Sequence, residues 1–548
     1  MNILIIVVTI YSSFSGTLAN ENLIVSLSDG LVQGSYRESY DGRKFIAFEG
    51  IPYARPPIGN LRFEDPQPVE PWLGVLKAVN TYTCMQINVF QKVYGQEDCL
   101  YINVYVPREK INPDEKLDVI VHLHGGAFMV GSPADFTGPD KIMDRDVVYV
   151  NLNYRLGPFG FYSLGDGRGN YGLKDQTAAL KWVRDNIGKF GGNKDSVTTS
   201  GLSAGGASVH LHYFSELSRG LFHKGFSQSG VALNPWVIRA NPAINGKKLA
   251  AAVGCSDQSL KNLYECMKQR SGQQITQAVL SFSEAFCIPL VPFGPIVEKN
   301  SPTAFLKKHP YEQLVDKEMI DVPLLISMTT KEGTIPGALT YGTVDDVNQN
   351  YKKWFPLMFE YYEYDKEKQD EISEKIRKFY FKDDPITTKN FDKLIEACTH
   401  RLFHLGGDKA TRLQAEASKS DIYFFIMNYV GKFVPVVNIS GFDIDFGPGH
   451  GTDGKFYYSG PVLTVKKLTP DEERMKDILL DMMVSFAKTG IPKANDVDFQ
   501  RFANAKDLNY LLVNGPDDLH METVSSLGPH EFWNSLGLKE DENATVGN

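Results

Sequence analysis

The strongest constraint on the fold of this chain is a series of strand patterns that ends in a Gly-x-Ser-x-Gly sequence. Segments 117–124, 146–154 and 195–201 are short, apolar and rich in β-branched residues, which predicts buried strands. Between the second and third, apolar residues recur near helical spacing over 172–192, ending at a Gly pair. Strand, helix and strand with a short return form a parallel right-handed crossover. The sequence therefore predicts a parallel sheet.

Ser203 follows the third predicted strand directly, within Gly-Leu-Ser-Ala-Gly at 201–205. It would lie on the turn that leads into a helix. A nucleophile elbow at such a turn needs glycine at 201 and 205, because neighbouring backbones approach too closely for side chains. An ordinary helix-capping serine is the alternative interpretation of the same stretch.

A second motif, His124-Gly125-Gly126-Ala127-Phe128, ends the first predicted strand. This is the place from which hydrolases with a serine elbow supply the backbone amides of an oxyanion hole. Glycines allow the tight turn that aims N–H groups at an oxygen gaining negative charge. A simple turn is the alternative, but the two motifs occur in the expected order.

The chain order of such hydrolases places an acid and then a histidine after the serine. Glu332 follows the apolar run 321–330 and precedes Gly333, so it is the candidate acid. The alternative interpretation of Glu332 is a surface charge on a loop. His450 lies in the Gly-rich stretch 447–453, free to reach into a site. The other late histidines are assigned to helix faces or to exposed tail positions; they are His400, His404, His520 and His530.

Length, charge and composition limit the class of protein. The chain has 548 residues, 42% of them apolar, and no visible linker, repeat or low-complexity tract, so one large domain is predicted at 20–548. The net charge of -9 comes without a basic stripe, which excludes nucleic acid as a predicted partner. No further run is long enough to cross a bilayer, so no membrane anchor is expected.

The N-terminal residues 1–19 predict a secretory signal peptide, with apolar residues 3–10 and a small-residue site at Thr17-x-Ala19. They lack the usual Lys or Arg, and a buried first strand is the alternative. Export would make Asn438 and Asn543 glycosylation sites. The predicted location is extracellular.

Six cysteines agree with an exported protein, although six allow 15 pairings. Sequence order suggests two local pairs, Cys84 with Cys99 and Cys255 with Cys266. Cys287 and Cys398 are left without an assignment. Metal binding is the alternative, but the sequence contains no Cys-x-x-Cys pattern, and no metal is predicted.

Together these motifs carry a family resemblance. The segments "FEGIPYARPPIGNLRF", "EDCLYINVYVP", "HLHGGAFMVG", "GLSAGGASVH" and "GPGHGTD" resemble those of type-B carboxylesterases in the cholinesterase-like α/β-hydrolase superfamily, especially the secreted insect esterases. The resemblance runs from about residue 25 to about residue 530. It implies an α/β fold with a mostly parallel central sheet, helices on both faces and helical cover insertions.

The resemblance also implies the roles of individual residues. Ser203 would be the nucleophile, Glu332 the orienting acid and His450 the base. The oxyanion hole would use the backbone amides of three residues, which are Gly126, Ala127 and Ala204. Further implied features are the disulfides Cys84–Cys99 and Cys255–Cys266, an Arg62–Glu97 ion pair, and a pocket lined by Phe128 and Trp236.

Several positions depart from the family pattern. Leu202 stands where Glu is common and where juvenile hormone esterases have Gln, which weakens an assignment to that hormone. Ala127 replaces the third glycine of a frequent His-Gly-Gly-Gly sequence, and its methyl group would crowd bulky alcohols. The segment between Cys84 and Cys99 contains Phe90 and Tyr94 but no Trp, which favours a neutral ester over a choline ester.

The predicted function is hydrolysis of small apolar carboxylic esters through an acyl-enzyme, with no cofactor. Odorant or pheromone, hormone and xenobiotic esters all fit, and the oligomeric state is open. Two alternatives are a catalytically silent binding or adhesion protein of the same fold, and a carrier with slow turnover. The pocket is expected from segments 230–300 and 335–460, where the aromatic stretch 351–364 would be either a substrate wall or an amphipathic cover.

Overall fold

The computed structural model describes residues 23–538, except 89–90, 256–258, 283–287, 300, 433–443, 462, 464–466 and 503–506. Four predicted features lie outside the described residues: the signal segment 1–19, Cys287, and the sequons at Asn438 and Asn543.

A large sheet forms the centre of the molecule, and two smaller sheets are built from short strands in the first hundred residues of the chain. The described strands are β1 (Ile24–Ser26), β2 (Leu31–Gln33), β3 (Ser35–Glu38), β4 (Lys44–Pro52), β5 (Val75–Lys77), β6 (Gln86–Ile87), β7 (Val93–Tyr94), β8 (Tyr101–Val106), β9 (Leu117–Leu123), β10 (Val148–Leu152), β11 (Gly192–Leu202), β12 (Lys224–Gln228), β13 (Leu324–Thr329), β14 (Ile422–Met427), β15 (Leu508–Gly515) and β16 (Asp518–Val524).

The described part of the large sheet has eleven strands in the order β16-β15-β14-β13-β12-β11-β9-β10-β8-β4-β3. Its centre, from β10 through β15, is parallel, and antiparallel pairs occur at both edges. The predicted mostly parallel sheet is confirmed. The three strand segments predicted from sequence are β9, β10 and β11, which lie side by side with β9 in the middle.

Helices fill the connections between strands. They are α1 (Pro133–Phe136), α2 (Gly157–Phe161), α3 (Tyr171–Asn186), α4 (Ala204–His212), α5 (Pro242–Ala252), α6 (Leu260–Lys268), α7 (Gly272–Ala278), α8 (Pro310–Val315), α9 (Thr334–Tyr341), α10 (Val344–Gln349), α11 (Tyr351–Met358), α12 (Lys366–Phe381), α13 (Asp392–Thr399), α14 (Leu405–Ala417), α15 (Gly454–Tyr457), α16 (Pro470–Thr489) and α17 (His530–Asn534). A single π-helical turn, His400–His404, joins α13 to α14.

The sheet is covered on both faces because its central strands alternate between two apolar clusters. In β9, Val119 and Val121 belong to one buried cluster, and Ile120 belongs to the other. Helices α3 and α4 pack in the first cluster, and the long helix α16 packs in the second through residues such as Leu479. Nearly continuous apolar strands of this kind are typical of parallel sheets with helices on both sides.

Two disulfides and one ion pair link segments in the N-terminal half of the chain. The structure contains Cys84–Cys99 and Cys255–Cys266. Arg62 donates two 2.6 Å hydrogen bonds to Glu97, which lies between the first two cysteines. The structure thus contains the pairs that the family resemblance implies. Cys398 is buried in α13 with a free thiol.

Among the described residues, none of the helices combines the length and the apolar character needed to cross a bilayer.

Candidate active site

Ser203 occupies a sharp turn between β11 and α4. Its backbone angles are φ 62° and ψ -123°, which only a few non-glycine residues adopt. The turn is crowded: a Cβ atom on Gly205 would lie 2.0 Å from the Leu123 carbonyl oxygen, and one on Gly201 would lie 2.4 Å from the Gly205 carbonyl. The close approach predicted from sequence for these two glycines is confirmed.

Backbone hydrogen bonds hold this elbow in place. The Ser203 N–H donates to the Gln228 carbonyl at 2.7 Å, and the Ser203 carbonyl accepts from Ala207 at 2.9 Å. Gly230 also approaches closely, because a Cβ there would lie 2.1 Å from the Ser203 carbonyl oxygen. The strained serine is therefore fixed by the end of β12 and by the first turn of α4.

The turn after β9 carries the amides predicted for an oxyanion hole. Gly126, Ala127 and Phe128 have φ values of 110°, 55° and 58°, so three successive residues are left-handed or close to it. The Gly126 carbonyl accepts from Met129 and Val130, both at 2.9 Å. Within the described part of the chain, the Gly126 and Ala127 N–H groups donate to no carbonyl or side chain. These amides are available to a ligand.

The same turn lies directly against the elbow. A Cβ on Gly125 would lie 3.0 Å from the Ser203 Cβ, which is tighter than an ordinary contact. Ala204 is the first residue of α4, where the amides of a helix have no intrahelical acceptor and the helix dipole favours negative charge. The amides of Gly126, Ala127 and Ala204 are thus gathered beside Ser203.

Glu332 lies just after β13 and is completely buried. Its Oε1 accepts from the Ser229 hydroxyl at 2.6 Å and from the Thr329 N–H at 2.7 Å, and its Oε2 lies 2.6 Å from His450 Nδ1. Burial opposes ionisation, but the attraction of His450 and these hydrogen bonds outweigh it, so the pKa of Glu332 falls below its ordinary value. The site therefore contains an ionised carboxylate paired with an imidazole.

His450 lies in a turn before α15 and is nearly buried. Its backbone N–H donates to Thr334 Oγ1 at 3.0 Å, and its ring packs against Phe403 with ring centres 4.7 Å apart. A Cβ on the next residue, Gly451, would lie 3.6 Å from Leu202 Cδ2. The histidine turn and the residue before Ser203 are therefore neighbours.

Ser203 and His450 line one cavity of about 340 Å³, which we call the catalytic cavity. Trp236 lines it as well, together with apolar residues from segments 290–339 and Phe403. Part of the wall comes from residues 86–88, from Tyr94 and from segment 122–137, outside the segments expected from sequence. None of the residues in the aromatic stretch 351–364 is among the described residues that line this cavity.

The sequence-based placements of three residues need correction. Phe128 does not line the catalytic cavity: it is fully buried, and its ring packs between Trp236 and Phe161. Its left-handed backbone turns the side chain into the core behind Trp236. His520 lies on the edge strand β16 rather than in a tail, and His530 begins helix α17. His400 and His404 lie in the π-helical turn, in agreement with the helix assignment.

Sequence reasoning missed three polar residues of the site. Ser229 anchors Glu332, as described above. Asp453 is buried three residues after His450, and its Oδ1 has no hydrogen-bond partner in the described structure. His122 lines the catalytic cavity, with Nδ1 2.8 Å from Ser200 Oγ, and burial lowers the pKa of His122 to about 3. Only the Thr-Asp pair after His450 could have drawn attention to Asp453.

The fold and this site together define a class. A mostly parallel sheet covered on both faces, with a strained serine after a central strand and an acid and a histidine following in that order, is an α/β-hydrolase.

Comparisons with known proteins place the chain within that class. Residues 21–532 match the carboxylesterase family. The chain is 37% identical over 533 residues to a carboxylic ester hydrolase of Bombus ignitus (94% of this chain and 95% of the relative), and 35% identical to venom carboxylesterase-6 of Apis mellifera over 532 residues (94% and 95%). The crystal structure of juvenile hormone esterase from Manduca sexta, with OTFP covalently attached, aligns with a TM-score of 0.82 and 25% identity, covering 94% of this chain and 99% of that one.

The chain therefore belongs to the carboxylesterase family, and it is a carboxylic ester hydrolase. The family and the fold that the sequence motifs predicted are both confirmed.

Proposed function

We propose that this protein is a secreted serine esterase that hydrolyses apolar carboxylic esters through an acyl-enzyme intermediate. Ser203 is the nucleophile, His450 the general base and Glu332 the residue that orients the base. The observation that carries the proposal is the 2.6 Å contact between Glu332 and His450, with His450 and Ser203 on the wall of one cavity.

The first half of the reaction acylates the serine. His450 Nε2 takes the Ser203 proton as Oγ attacks the ester carbonyl carbon, and the same imidazole then protonates the departing alcohol oxygen. Glu332 holds the proton on Nδ1 and stabilises the imidazolium. Water repeats the sequence on the acyl-enzyme and releases the carboxylic acid. Protein groups alone carry these steps.

The tetrahedral intermediate carries a negative oxygen, which we assign to the amides of Gly126, Ala127 and Ala204. Amides held in a rigid turn stabilise this charge without having to reorganise during the reaction. The left-handed backbone at Ala127 supports this role, because strain of this kind is often stored where a site must be preorganised.

Apolar esters are the proposed substrates because the described wall of the catalytic cavity is mainly hydrocarbon. Trp236, Leu290 and Phe403 supply large apolar surfaces, and Leu202 adds an aliphatic side chain beside the serine. A charged substrate would lose its hydration in such a cavity without gaining a countercharge from these four residues.

We also propose export of the chain as a single domain, 20–548, after removal of residues 1–19, with glycans at Asn438 and Asn543. Two disulfides support an oxidising compartment. One relative is named a venom carboxylesterase, which is consistent with export.

The experiment that tests the proposal compares the intact protein with Ser203→Ala on 4-nitrophenyl acetate. We expect an initial burst of nitrophenol equal to the enzyme concentration if deacylation is slow, and a loss of kcat of at least about 10⁴-fold in the variant. A slow-turnover carrier would show a burst followed by only slow steady-state release of nitrophenol. Equal turnover by both proteins would exclude Ser203 as the nucleophile.

A further inference from the structure

A smaller cavity of about 140 Å³ lies next to the catalytic cavity, and we call it the side cavity. The two cavities have four lining residues in common, which are Gln86, Ile87, Val130 and Leu290. These residues form a partition between the two spaces. The remaining described wall of the side cavity comes from segments 156–159 and 276–280, from prolines 289 and 292, and from Met85, Gln91 and Met129.

The described lining of the side cavity is mostly apolar. Of the described residues that line it, three have polar side chains: Gln86, Gln91 and Thr276. The Thr276 hydroxyl donates to the Gly272 carbonyl at 2.8 Å. The Gln86 amide donates to the Cys84 and Gly131 carbonyls, and its oxygen accepts from the Gly131 N–H and the Tyr94 hydroxyl. Two of the three polar groups are therefore occupied within the protein, and Gln91 is exposed at the rim.

The partition is continuous with the turn that carries the proposed oxyanion amides. Met129 and Val130 both donate their N–H groups to the Gly126 carbonyl. Met129 lines the side cavity, and a Cβ on Gly157 would lie 3.5 Å from its methyl carbon. Methionine is unbranched and adaptable, which suits a wall that must accept chains of different length. A ligand atom in the side cavity would thus contact residues three or four positions from Gly126.

We infer that the side cavity binds the distal end of an unbranched alkyl chain of the ester, and that it makes this enzyme selective for medium or long chains over acetate-sized groups. This inference rests on the proposed function, because the chain must be attached to an ester positioned at Ser203. The alkyl chain can belong to either the acyl or the alcohol part of the ester. The structural requirement is the same for both, namely a hydrocarbon chain that passes Val130 and Leu290.

The test is a chain-length profile measured on both parts of the ester. One series is 4-nitrophenyl esters of straight acids from acetate to dodecanoate, and the other is acetates of straight alcohols from ethanol to dodecanol. In one of the two series, kcat/KM should rise by about fourfold for each methylene that enters the side cavity. The series that rises identifies which part of the ester occupies the cavity. Flat profiles in both series would overturn the inference.

Leu280 supplies the decisive variants, because it lines the side cavity and not the catalytic cavity. Leu280→Trp should fill the space and lower the ratio of long-chain to acetate kcat/KM at least about tenfold. Leu280→Ala should enlarge the space and move the optimum to longer chains. Because the two substitutions shift the chain-length preference in opposite directions, either variant alone tests the inference if the other folds poorly. A ratio equal to that of the native protein in the variants that fold would overturn the inference.

A matched control is Ala240→Trp, which adds the same side chain to a separate cavity that has no described lining residue in common with the catalytic cavity. It should leave the chain-length ratio unchanged, and an equal drop in this control would show that the Leu280→Trp effect is not specific, overturning the inference. The Ser203→Ala variant separates this result from the proposed function. If Ser203→Ala abolishes acetate hydrolysis while the Leu280 variants keep the native ratio, the serine mechanism stands and the chain-binding role fails.

Discussion

At the scale of single residues, Glu332 has its carboxylate held by three donors with no exposure to solvent. Such a carboxylate stays ionised at acidic pH, since its pKa is below the ordinary value. Its protonation therefore does not limit activity near neutral pH.

Glu332→Gln should lower kcat by about 10³- to 10⁴-fold, because an amide can present an N–H to His450 Nδ1 and favour the wrong tautomer. Stopped-flow measurement of acylation by 4-nitrophenyl acetate gives the value. Ser229→Ala is the control, since it removes one hydrogen bond to Glu332 and leaves the charge; it should cost about tenfold or less. An acylation rate in Glu332→Gln close to that of Ser229→Ala would contradict the assigned role.

Asp453 titrates differently from Glu332. Burial, reinforced by the nearby charge of Glu332, raises the pKa of Asp453 from 3.8 to about 7. The folded protein thus retains a proton that the unfolded chain releases between these values. By linkage, the contribution of Asp453 to stability is fully present below the lower value and is lost as pH rises through this window.

Asp453→Asn should remove this loss of stability. Between pH 5 and pH 8, the native protein should lose about 2 kcal/mol of unfolding free energy that the variant does not lose. Urea unfolding followed by tryptophan fluorescence at the two pH values measures the difference. If the two proteins respond identically to pH, Asp453 does not carry the buried proton.

At the scale of structural elements, the junction of β11 with α4 depends on backbone contacts that leave no room for side chains. Gly205 is fixed between the end of β9 and the serine turn. Gly188, in the 3₁₀ turn after α3, has no atom within 4 Å of the position of a Cβ. The two glycines therefore differ in the space available for a side chain, although they lie on either side of the same strand, β11.

Gly205→Ala should prevent formation of the elbow and reduce ester hydrolysis by more than about 10³-fold, with a lower yield of folded protein, because the methyl group would overlap the Leu123 carbonyl. Gly188→Ala should leave activity unchanged and keep or slightly raise stability. Thermal melts and kcat/KM of the two purified variants make the comparison. Native-like activity in Gly205→Ala would show that β9 can move aside.

Much of this junction could be predicted from sequence. Strands β9, β10 and β11 and helix α3 follow from apolar runs and helical spacing, because these patterns report burial directly. Ser203, Glu332 and His450 could be chosen because their motifs occur in a fixed chain order. Phe128 was misplaced because the left-handed turn reverses the direction of its side chain, and one-dimensional patterns do not report backbone handedness.

At the scale of the whole molecule, Arg62 joins parts of the chain that are far apart in sequence. Besides its two bonds to Glu97, its Nη1 donates to the carbonyls of Met267, Lys268 and Arg270. Glu97 belongs to the first disulfide loop, and residues 267–270 follow the second disulfide. A single buried guanidinium thus ties both disulfide-bonded segments together.

Arg62→Met should destabilise the protein by about 3 kcal/mol, because Glu97 would be left almost buried without a countercharge. The double variant Arg62→Met/Glu97→Met should recover a large part of that loss, since the unpaired carboxylate is removed. Urea unfolding of the native protein and the variants measures both values. Equal stability of the single and double variants would contradict this explanation.

The proposed nucleophile and the proposed base differ in how the backbone supports them. Ser203 stands at the end of a strand paired on both sides, whereas His450 is carried by a turn. Warming should release the turn before the sheet melts, so a preparation can retain its circular dichroism spectrum after esterase turnover has faded. Thermal inactivation would then begin as a reversible loss of alignment, and cooling before the sheet opens should restore the enzyme.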